Sequence, residues 1–124
     1  MDGTISDWPR NTAGLIDRIS HEFTVLDKNK FTGETVLRFS GSHFDGLFRV
    51  PRDFKDDDKP AQDIKIVLRL FSLCHNAGAF GSMTLIWHTG IIKNYTVKLT
   101  FQGESVRFMA SNIFRLKMGE RLHG

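Results

Sequence analysis

Cysteine is almost absent from this chain of 124 residues, with Cys74 the single example. A lone thiol excludes an internal disulfide framework and fits a reducing compartment. Apolar runs are short. None reaches the roughly 18 residues of a membrane-crossing helix, and the opening MDGTISDWPRN lacks the basic and apolar regions of a secretory signal. The expectation is a soluble cytoplasmic protein with no membrane contact.

Signatures of catalysis are missing as well. There is no Gly-x-Gly-x-x-Gly, no phosphate-loop lysine motif and no serine-centred elbow. No two carboxylates lie inside apolar runs, where a raised pKa would suit acid–base work. Zinc needs three or four converging ligands, and beside Cys74, His75 and His88 there is no second cysteine and no Cys-x-x-Cys pair. Asp56, Asp57 and Asp58 lack the spaced oxygens and glycine of a calcium loop. No metal and no cofactor is therefore expected, and enzymatic activity has no residue to rest on. Charge of one sign is in small excess only. A net charge of +3 falls short of a clustered nucleic-acid footprint.

What is present is the composition of one globular domain over residues 1–124, 40% apolar and 25% charged. Its pivot is the stretch PAQDIKIVLRLFSLCHNAGAFGSMTLIW, from Pro60 to Trp87. Gln62, Lys65, Arg69, Ser72 and Asn76 recur at steps of three and four, which places them on one narrow stripe of a helix. As a strand the same run would put Val67, Leu68, Leu70 and Phe71 on both faces without alternation. A helix is predicted, entered through Asp56–Asp58 and Pro60 and ended by Asn76-Ala77-Gly78. Its apolar surface exceeds the roughly 100° that one sheet would cover, so the excess must meet another helix or another chain.

Before the pivot, residues 1–10 read as a loose arm whose Trp8 packs either on the core or on a partner. From a cap at Asn11 or Thr12, Leu15, Ile16, Ile19, Phe23 and Leu26 fall at helical spacing, with Asp17, Arg18, His21 and Glu22 turned away. A hairpin follows. In its first strand Thr35, Leu37 and Phe39 share a face, and its return strand, Phe44 to Val50, is interrupted by a bulge or a tighter turn at Asp45-Gly46. After the pivot helix comes a three-strand meander, with Met83, Leu85 and Trp87, then Tyr95, Val97, Leu99 and Phe101, then Val106 and Phe108 on its apolar face. A short helix near residues 111–118 and a frayed basic tail over 119–124 close the chain. At an offset of 48 residues, Ile16, Ile19, Phe23, Gly33, Leu37 and Phe39 meet Ile64, Val67, Phe71, Gly81, Leu85 and Trp87. Any two helix–turn–strand units share such matches, so the offset does not by itself establish a repeat.

The expected fold class is α+β, an antiparallel sheet made of a two-strand hairpin plus a three-strand meander, with helices packed mainly on one face. The order α-β-β-α-β-β-β-α resembles that of the small dimerising regulatory modules of roadblock type, in element order and in no motif. That resemblance implies a dimerising or regulatory role. An over-apolar helix and open sheet edges give the same reading from physics: a non-catalytic interaction module, a homo-oligomer or bound to a protein partner, using Ile66, Leu70, Leu73 and Phe80. The alternative is a basic nucleic-acid-binding domain using Lys93, Lys98, Arg107 and Arg115. Against it, Tyr95, Phe101 and Phe108 belong to the apolar face, away from those cations.

Overall fold

The structure, a computed structural model, describes residues 8–41, 43–55, 58–101 and 104–109, with side chains as far as residue 100. In chain order the described elements are α1 (Thr12–Lys28), β1 (Gly33–Ser40), β2 (His43–Pro51), α2 (Ile64–Asn76), β3 (Phe80–His88), β4 (Ile91–Phe101) and β5 (Glu104–Met109). The fold is α+β, with one antiparallel sheet in the order β2-β1-β3-β4-β5. The closing helix and the basic tail expected from the sequence lie outside the described residues.

Asn11 starts α1 by accepting the Gly14 N–H on its side-chain oxygen at 2.6 Å, which satisfies one orphan donor of the first turn. Leu15, Ile19, Phe23 and Leu26 are buried as their spacing predicts. Glu22 departs from the expectation of a solvent-facing side chain. It continues the Leu15–Ile19–Leu26 stripe and is carried inward, where Arg49 of β2 reaches its carboxylate at 2.7 Å. A buried charge needs such a partner.

The start of α2 is also corrected. It begins at Ile64 with Asp63 as cap, whose carboxylate accepts the Lys65 N–H at 2.9 Å. Upstream, the Gln62 N–H donates to the Ile92 carbonyl at 2.8 Å. That bond ties the segment to β4 in extended form, so neither Pro60 nor the aspartate run opens the helix. The end lies where expected: Gly78 has φ +70, and the N–H groups of Ala77 and Gly78 bond back to Leu73 and His75.

Strands β2 and β3 both flank β1 antiparallel, so they run parallel to each other and α2 is the crossover between them. Alternation sends Thr35, Leu37 and Phe39 of β1, Met83, Leu85 and Trp87 of β3, and Tyr95, Val97 and Leu99 of β4 to one buried face. Both helices cover it. Phe23 of α1 meets Trp87 edge-on at 5.3 Å, and Phe71 of α2 meets Phe39 and Phe44 at 5.8 and 5.3 Å. The indole N–H of Trp87 donates to the Thr35 hydroxyl at 2.9 Å inside this core. Trp8 lies against Phe44 at 4.7 Å, with Arg18 over its ring. Of the two alternatives for Trp8, packing on the core is the one observed.

The helices run antiparallel and are latched at one end. The Thr12 hydroxyl donates to the Asn76 side-chain oxygen at 2.6 Å. Having given its one proton there, it accepts from Nδ1–H of the buried His75 at 3.0 Å. On the sheet, Gly81 is required by a close approach: with φ +148, a β-carbon there would stand 2.0 Å from the Lys98 carbonyl oxygen.

Candidate functional site

The surplus apolar surface of α2 is divided between two places. Leu68 turns toward α1 and is half-buried against the core, whereas Leu73 is 61% exposed. Together with Ile16 of α1 they form the floor of an open groove of about 460 Å³, bordered by Lys65, Arg69 and Ser72. The groove exists because the outward stripe of α2 is not wholly polar: Leu73 stands one residue beyond Ser72 and only partly off the Lys65–Arg69 stripe. Asp17, next to Ile16 on α1, is exposed. The groove itself is bordered by two cations, Lys65 and Arg69, and Asp17 lies outside its lining.

Ile66 and Leu70 are half-buried and share the α2 stripe of Leu73, at steps of four and three residues. Phe80, 56% exposed, is not with them. It stands on the opposite face of the sheet at the start of β3, its ring against Gly41 of the hairpin turn. The four residues proposed as one surface from sequence thus belong to two.

Of the cations named from sequence, Lys93 stands apart, whereas Lys98 and Arg107 are paired across β4 and β5. Lys93 is the extra residue of a bulge between Ile86–Asn94 and Trp87–Ile92, and its ammonium donates to the Lys59 carbonyl. Lys98 is exposed on the sheet face away from the helices. Arg107 stands opposite it in the β4–β5 register. Its side chain and the whole of Arg115 lie outside the described residues. Sequence reasoning passed over Arg38, which is exposed on β1 and pairs with Ser82, which in turn pairs with Lys98. Its signal was legible: an arginine alternating with Leu37 and Phe39 must face outward.

The groups capable of chemistry are dispersed or enclosed. Cys74 is buried and desolvation pushes its thiol up to about 11, so it is neither a thiolate nucleophile nor a ready ligand at neutral pH. His75 stacks on Phe71, and its Nε2 is buried without a hydrogen-bond partner. Among the described residues no three His, Cys, Asp or Glu side chains converge as a metal site, and no helix is long and apolar enough to cross a membrane. Comparison with protein-family models, with curated proteins and with solved structures gives no match to the chain.

Proposed function

We propose that this chain is a non-catalytic interaction module whose helical layer docks on a second copy of itself. The observation carrying this reading is the Ile16–Leu68–Leu73 groove with its charge border. Leu73 leaves most of its side chain in water in the isolated chain, at a cost that association would remove. Lys65 and Arg69 border the groove, and Asp17 is exposed one residue beyond Ile16. In a contact about a two-fold axis, where residue i of one copy meets residue j of the other and the reverse, Asp17 of each copy can face Lys65 and Arg69 of its partner. Ile66 and Leu70 extend the same apolar stripe along α2.

The test is the oligomeric state by light scattering and sedimentation across a dilution series. The expected result is a dimer that dissociates on dilution. Leu73→Glu weakens it by roughly 30-fold or more, as a central contact worth about 2 kcal/mol requires, without changing the circular dichroism spectrum. Asp17→Arg and Arg69→Asp each weaken association and together restore it. A monomer at every concentration reached, or a dimer indifferent to Leu73→Glu, defeats the proposal.

A further inference from the structure

The sheet face away from the helices carries a feature that the groove does not use. Register brings Arg38 of β1, Ser82 of β3 and Lys98 of β4 into one row across three strands. Both cations are exposed, and the small Ser82 between them leaves the row open. Two strand spacings set their backbones about 10 Å apart. Among the described residues, the carboxylates nearest on this face are engaged elsewhere. Asp45 accepts the Ser40 hydroxyl at 2.7 Å and lies 3.7 Å from His43, and Glu34 lies 3.6 Å from Arg52.

The neighbouring row is Ser40–Phe80–Thr100. Phe80 is more than half exposed there, between two short polar residues. Its ring edge abuts Gly41, where any β-carbon would stand 3.3 Å from Cζ, so the bare glycine keeps room for the ring. Among the described residues, the strand surface therefore presents two cations without a carboxylate partner beside an aromatic ring stacked on no other ring.

We infer that this face binds single-stranded nucleic acid, with phosphates on Arg38 and Lys98 and a base stacked on Phe80. The cations select a polyanion. The ring selects among polyanions, since an acidic peptide offers nothing flat to stack, whereas every base does. A sheet this broad does not enter a duplex groove, and the bases of a duplex are already stacked on each other. This disposition corrects the reading that the exposed cations lack an aromatic companion: Tyr95 is buried as expected, but Phe80 stands with them.

Fluorescence anisotropy with a labelled oligothymidylate of about 12 nucleotides, a length within the range of small single-strand sites, tests the inference at low salt on the full chain. Binding is expected to favour the single strand over a duplex of equal length. Phe80→Ala lowers affinity roughly 5- to 150-fold, the range for loss of one stacked base. Replacing Arg38 or Lys98 by Gln reduces the slope of log K against log salt by about 0.7 each. Leu73→Glu leaves binding unchanged, which separates this result from the fate of the dimer. No binding at low salt, binding indifferent to the Arg38 and Lys98 variants, or competition by polyglutamate with no effect of Phe80→Ala would each overturn it. Circular dichroism melting of every variant reports whether the fold is kept. Should Phe80→Ala not fold, Phe80→Leu, which keeps apolar bulk and removes the flat ring, provides the same comparison.

Discussion

Replacing Thr35 by valine isolates one bond at the centre of the molecule. Thr35 and Trp87 are both fully buried on the helix-facing side of the sheet, and the indole N–H donates to the Thr35 hydroxyl at 2.9 Å. Valine has nearly the same shape and higher strand propensity, so packing and backbone preference do not oppose the change. What is lost is the acceptor. A buried donor left unpaired costs about 1–3 kcal/mol, and Trp87 has no route to water. Urea unfolding followed by far-ultraviolet circular dichroism gives the measurement. With a slope of about 1.5 kcal/mol/M for a domain of this size, a loss of about 2 kcal/mol moves the midpoint down by more than about 1 M. Thr35→Ser keeps the acceptor and removes only a methyl group, at about 1 kcal/mol, so it should be the milder variant. Thr35→Val as stable as the parent, or Thr35→Ser the worse of the two, would refute the assignment of this bond as a stabilising core contact.

Four further outcomes follow from other parts of the structure. Cys74 should resist a thiol-specific disulfide reagent at pH 8 in the folded protein and react promptly in denaturant, because raising the thiol from 9.0 to about 11 leaves about a hundredfold less thiolate. The unfolded thiol loses its proton at a lower pH than the folded one, so the part of stability due to Cys74 declines as pH rises from about 9 to about 11, and Cys74→Ala should remove that part of the slope. Gly81→Ala should cost more than about 3 kcal/mol in urea unfolding, since the added carbon meets the Lys98 carbonyl and the backbone holds a conformation that alanine disfavours. Glu22→Gln should cost roughly 1–2 kcal/mol, because it reduces a charge-assisted bond from Arg49 to a neutral one at a nearly buried position; equal urea midpoints for the parent and Glu22→Gln would show that the charge adds nothing.

Alternation and helical spacing carried most of the fold. The inner residues of β1, β3 and β4 could be read directly, since each strand places large apolar groups at every second position. The helix of the pivot was legible from its polar stripe, and its end from Gly78. Its beginning was not, because Asp56–Asp58 and Pro60 resemble a helix entry, while the bond that holds Gln62 to Ile92 joins residues far apart in sequence. Glu22 was misplaced for a similar reason: its neighbour Arg49 belongs to another element. The candidate surfaces were half visible. Leu73 was identified as spare apolar area, but spacing within one helix cannot show that Ile16 completes the groove. Phe80 was grouped with α2 by closeness in sequence, although its place on β3 turns its side chain to the sheet face away from the helices. The pairing of β1 with β3 unites Arg38 and Lys98, and no local pattern announces which strands become neighbours.

That central pairing has a kinetic consequence. Ser40 meets Phe80 and Gly33 meets Trp87, so every rung of the β1–β3 ladder closes a longer loop than any rung of the β1–β2 or β3–β4 hairpins. The hairpins can form from local encounters, whereas the ladder between them must wait for α2 and the long loop before it to be brought back. A chain ending after β2 would therefore expose the bare inner edge of β1 with nothing to pair it. During synthesis the first half of the protein passes through that state, with an unpaired strand edge and the apolar stripe of α1 open to other chains until β3 emerges.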